Sequence, residues 1–168
     1  LRLYMHGKAV AQVYDLCCTA WDSAFSAWVS SELKRHADVI YTHGGTEQNT
    51  NDASNWQGIR CASAGFCYLA CDEEINARTY AGSIQGCYDK VVLYCKENMG
   101  NDPLSRGWNI EGIGYTTYPF GQFIGAYGIA MARYDSMRSL KNEMESVRWT
   151  PWTIYASGCR IENMDGYG

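Results

Sequence analysis

The sequence predicts an α+β domain in which an antiparallel β-sheet packs against about three helices and disulfides hold the layers together. Three observations carry that expectation. Several stretches repeat apolar residues at helical spacing, and the glycine-rich stretches between them alternate as strands do. The 168-residue chain also holds eight cysteines, an even set. The implied order is helix, strand, hairpin, helix, hairpin, helix, strand. It lacks regular β-α-β alternation, which favours an antiparallel layer over a doubly wound sheet. A chain of this length can bury a core as one domain, residues 1–168.

The first element is the clearest. Val10, Val13, Tyr14, Cys17, Trp21, Phe25 and Trp28 follow a helical period with Asp15, Asp22 and Ser26 opposite. One amphipathic helix is therefore expected, running to about Arg35 and burying Trp21, Phe25 and Trp28. Residues 38–41 read as extended, and Gly44-Gly45 breaks the element. Residues 46–55 are nearly all polar and predict an exposed loop. Within residues 56–71 two short segments, 59–61 and 66–68, flank Ser63-Ala64-Gly65 and predict a hairpin. Ile84, Cys87, Tyr88, Val91, Val92 and Cys95 then lie on one helical stripe that Gly100-Asn101 ends. From Trp108 to Arg133 alternation, the Tyr118-Pro119-Phe120-Gly121 turn and glycines 112, 114, 125 and 128 predict a twisted hairpin. Met137, Leu140, Met144 and Val147 mark a third helix over residues 135–149, and residues 151–162 read as a closing strand after Thr150-Pro151.

Composition narrows the function classes. The chain is 46% hydrophobic, 14% aromatic and 19% charged, as a folded globular protein is. Its net charge is −4, and Lys and Arg stand singly except at Lys34-Arg35. No basic stripe is present to neutralise phosphates, so no nucleic-acid partner is expected. No window approaches the roughly 18 apolar residues of a membrane span. A start at Leu1 without a charged-then-apolar leader fits a mature product, and no N-x-S/T sequon occurs.

The cysteines are Cys17, Cys18, Cys61, Cys67, Cys71, Cys87, Cys95 and Cys159. Only Cys67 and Cys71 have knuckle-like spacing, no second knuckle follows and no histidine sits at a ligand offset, so disulfides are favoured over a metal site or buried free thiols. Connectivity stays open. The adjacent Cys17 and Cys18 point to different sides of their element and are expected to bridge different partners. An oxidising, extracellular compartment follows.

Candidate chemistry is sparse. Among the histidines, His43 stands beside Gly44-Gly45 and Glu47, where a loop could present an acid/base pair, with Glu111 as a second carboxylate. An exposed loop histidine is the competing reading. Asp72-Glu73-Glu74 fits a solvated helix start better than a calcium site, and Asn49, Asn51 and Asp52 lack the glycine and distant glutamate of a calcium loop. No nucleophile elbow, P-loop or dinucleotide fingerprint is present, and Gly112-Ile113-Gly114 lacks the strand-turn-helix context. No cofactor or metal is expected. Trp56, Tyr115, Tyr118, Phe120 and Tyr127, near turns or on glycine-rich strands, are the candidates for an exposed binding patch. Lys34-Arg35 reads either as a protease-type dibasic site or as basic residues favouring a helix C-terminus.

The cysteine-bearing helix from Cys87 to Cys95, Arg106-Gly107-Trp108 leading into a strand, and the Gly112 to Arg133 hairpin resemble the small secreted cysteine-rich proteins of fungi. That grouping includes pathogen effectors and killer toxins with α/β-sandwich folds. The resemblance implies a secreted protein that binds a host or target-cell protein or glycan through a surface, without catalysis. A small secreted hydrolase or ribonuclease using His43, and a carbohydrate-binding module, are the alternatives.

Overall fold

The computed structural model describes residues 2–43, 54–72, 78–99 and 122–135. They form α1 (Arg2–Cys17), a 3₁₀ turn (Cys18–Ala20), α2 (Ser23–His43), α3 (Asn55–Cys71), α4 (Ala81–Met99) and α5 (Ala126–Tyr134). No strand occurs among the described residues. The fold there is all-helical, and the expected α+β architecture with an antiparallel sheet is overturned.

The arrangement centres on α3, which makes contact with each of α1, α2, α4 and α5. Most of its 17 residues are buried. Its composition explains why: apolar and small residues occupy every side, so it has no polar face to give to solvent. Ser63 Oγ donates to the Tyr4 carbonyl of α1 at 2.6 Å. The Cys71 thiol donates to the Ser30 carbonyl of α2 at 3.2 Å, and Tyr68 Oη donates to Asp38 at 2.8 Å. On the other sides Gly58 and Gly65 admit large side chains. A Cβ on Gly58 would stand 2.6 Å from Tyr94 of α4, and one on Gly65 would collide with the Tyr127 ring of α5.

This helix replaces the hairpin expected over residues 56–71. Short apolar runs around a Ser-Ala-Gly break resemble paired strands, but a fully buried helix also lacks one-sided periodicity. Its ends are defined by side chains. The Trp56 N–H donates to Ser54 Oγ at 3.3 Å, an N-cap. At the other end the Asp72 N–H donates to the Tyr68 and Leu69 carbonyls. Asp72 is buried rather than solvated, accepting from Tyr134 Oη at 2.9 Å and from the Tyr80 N–H at 3.4 Å.

The single helix expected over residues 10–35 is two. Asp22, assigned to the polar face by periodicity, instead takes the Phe25 N–H at 2.9 Å, and Ser26 Oγ bonds the Cys18 carbonyl at 2.9 Å. These bonds close a bend between α1 and α2. Helix α2 then continues through residues 38–41, expected to be extended, because Val29, Leu33, Ala37 and Ile40 form one buried stripe. Lys34 and Arg35 therefore lie inside α2, paired with Asp38 and Glu32, not at a helix end. Arg60 of α3 bonds Gln57 Oε1 and the Tyr41 carbonyl, placing a buried cation at the carbonyl end of α2.

Helix α4 agrees with expectation, with Ile84, Cys87, Val91 and Cys95 buried. Residues 122–133, expected as part of a strand hairpin, form a π turn at 122–125 followed by α5. Phe123, Ile124, Tyr127 and Met131 form its buried stripe, and that burial outweighs the low helix propensity of Gly125 and Gly128. No disulfide joins any pair among the seven described cysteines, and Cys159 lies outside the described residues. The expectations for residues 46–53, 108–121, 136–149 and 151–162 also lie outside them.

Candidate functional site

The bend at Asp22 lays α1 and α2 side by side, in contact with each other and with α3. Gly7 permits the approach, since a Cβ there would stand 2.8 Å from the His36 ring. Between the helices runs a groove of about 220 Å³ lined by His6, Gly7, Val10, Trp28, Leu33 and His36, among others. Trp28 and Val10 on its rim are 59% and 45% exposed, and Phe25, stacked on Trp28, is 43% exposed. Elsewhere on α1, Val13 and Leu16 are exposed as well.

The aromatic residues form a ladder from the core outward. Tyr14 is buried, and its ring meets Trp21 edge-on at 6.0 Å. Trp21 meets Phe25 edge-on at 5.0 Å, and Phe25 stacks on Trp28 at 5.9 Å. Each such pair contributes roughly 0.5–1.5 kcal/mol beyond area burial. Trp28 is thus held in place by packing although most of its surface meets solvent. Periodicity had assigned Trp21, Phe25 and Trp28 to the core; Trp21 is half-buried and the other two are exposed. The bend at Asp22 is the reason, because it separates the α2 stripe from the α1 stripe.

Two members of the sequence-derived patch, Trp56 and Tyr127, fall among the described residues. Tyr127 is fully buried, its ring against Phe66 at 5.6 Å and its hydroxyl donating to the Ile84 carbonyl at 3.2 Å. Trp56 is half-buried, edge-on to Tyr4 at 6.0 Å. Tyr115, Tyr118 and Phe120 lie outside the described residues. His43 is the last residue of α2 rather than a loop residue, while Glu47 and Glu111 lie outside the described residues.

A second concentration of chemistry is the set of core cysteines. Cys61, Cys67 and Cys71 stand on α3 and Cys87 and Cys95 on α4, all buried. Burial, reinforced by neighbouring Cys71, pushes the Cys67 thiol up to about 12 from 9.0. Burial likewise pushes Cys71 up to about 11, the Ser30 hydrogen bond partly opposing it, and raises Cys87 further. Thiols so held are poor nucleophiles near neutrality. Among the described residues no three His, Cys, Asp or Glu side chains are grouped to hold a metal ion. No described helix is long and apolar enough to cross a membrane.

No protein-family model matches this chain, and neither a curated protein nor a solved structure is similar to it.

Proposed function

We propose that this chain is a secreted, effector- or toxin-like protein that acts by binding a host or target-cell component through the open apolar face of α1 and α2. The observation that carries this reading is the braced aromatic ladder ending in Trp28, which lines the groove together with the exposed Val10. Exposed aromatic and aliphatic side chains held rigid by their own packing lose little entropy on docking, and such tryptophans are frequent hot spots. Secretion is carried into this reading from the even set of eight cysteines alone, since no disulfide joins the seven described ones.

The test compares binding of the fluorescently labelled chain with that of Trp28→Ser on plant protoplasts and yeast spheroplasts, each preparation checked for helical circular dichroism. A hot-spot tryptophan is worth about 2 kcal/mol or more, so affinity is expected to fall roughly 30-fold or further. Equal binding by the two proteins would sink the reading.

A further inference from the structure

We propose that two copies of this chain pair through the same α1–α2 face, as a weak two-fold dimer that covers Trp28, Phe25, Val10 and Val13. Three features point to a second copy as the occupant.

The first is charge. Glu32 and Arg35 beside the groove neutralise each other at 2.7 Å. Lys34 is paired with Asp38, which also accepts from Tyr68 on the core side. Lys8 turns inward over the Phe66 and Phe123 rings, at 5.7 and 5.3 Å, and donates to the Gln122 carbonyl. The Asp22 carboxylate accepts the Phe25 N–H. The two ion pairs of α2 are thus compensated locally, so a strongly charged partner would gain little beside the groove. A second copy of the groove meets no like-charge penalty from these neutralised pairs, although the whole chain carries −4.

The second is shape. A volume of about 220 Å³ is below the range of sites that enclose a small-molecule ligand, roughly 300–1,000 Å³, and suits a single large side chain. The stacked Phe25 and Trp28 rings form a ridge at the edge of that groove, so one face carries both a projection and a recess. A two-fold axis sets the ridge of each copy against the recess of the other, as an isologous interface requires.

The third is extent. Helices of 16 and 21 residues are about 24 and 31 Å long at 1.5 Å per residue. Two helices side by side, each about 10 Å across, then give a footprint of roughly 500 Å². That is at the small end for a specific interface, so association is expected in the range of tens of micromolar. A cellular target would displace the second copy, which keeps the apolar face covered until docking.

Sedimentation velocity on the full reduced chain, from about 1 to about 300 μM, tests the pairing. The native chain is expected to pass from monomer to dimer. Trp28→Ser and Val13→Asp are each expected to weaken association at least tenfold with helical content unchanged, while Ile129→Ser, an exposed apolar site on α5, leaves it unaltered. A native chain that stays monomeric throughout, or a dimer indifferent to both face substitutions, overturns the inference. The binding reading fails separately: a dimer that responds as expected beside cell binding that ignores Trp28→Ser would keep the pairing and discard the target site. A monomer whose cell binding is lost in Trp28→Ser would do the reverse.

Discussion

Individual residues show how strongly burial controls chemistry here. Cys67 ionises near 12 rather than 9.0 because the thiolate has no water to solvate it between α1, α2 and α3. Two consequences follow for the reduced chain. At pH 8 Cys67 is expected to react with iodoacetamide about a thousandfold more slowly than an ordinary thiol, and at the ordinary rate once unfolded. Labelling followed by peptide mass spectrometry reads both rates. The second concerns stability. Cys67, Cys71 and Cys87 all have folded values raised above those of the unfolded chain. Their contribution is present below about pH 9 and is lost as pH rises toward the folded values, because only the unfolded chain then releases the protons. Urea midpoints are expected to fall between pH 8 and pH 10.5, and less steeply in Cys67→Ala.

At the scale of elements, the glycines of α3 and α4 separate propensity from packing. An alanine in a helix is favoured over glycine by about 1 kcal/mol. Gly82 of α4 has nothing within 4 Å of a Cβ, so Gly82→Ala is expected to raise stability by up to that amount. Gly65 of α3 would drive a Cβ into the Tyr127 ring, itself fully buried. Overpacking of that kind costs roughly 1–3 kcal/mol, so Gly65→Ala is expected to lower stability despite the better propensity. Opposite signs in chemical denaturation would establish that α5 docks on α3 through this glycine. The elements also differ in how legible they were. Helix α4 was readable because Ile84, Cys87, Val91 and Cys95 keep an ordinary one-sided stripe. The bend at Asp22 was not, because Trp21, Phe25 and Trp28 continue the period across it and only the side-chain bond to the Phe25 N–H reveals the N-cap.

For the whole molecule, the central position of α3 implies that the described helices unfold together. Each of α1, α2, α4 and α5 touches α3, so none can keep its buried stripe once α3 leaves. Ala64 is fully buried on that helix, and Ala64→Leu would force an added side chain into closed space. A loss of about 1–3 kcal/mol is expected, lowering Tm by several degrees. Circular dichroism and tryptophan fluorescence should report one coincident transition; separate transitions would contradict the central role of α3.

Composition and local pattern were enough for a chain without a basic stripe, the helix at α4, and apolar residues in helical period from Val10 to Trp28. The α+β expectation failed where local pattern is ambiguous. A helix buried on every side loses its polar stripe, and a glycine-containing helix such as α5 looks strand-like until Phe123, Ile124, Tyr127 and Met131 are seen packing into one core. The candidate site shows the same division. The aromatic residues were visible in the sequence, but helix packing puts Tyr127 inside and leaves Trp28 out. Which apolar side chains find a partner depends on how many neighbours surround each helix, and that number is set by the packing of the whole bundle around α3.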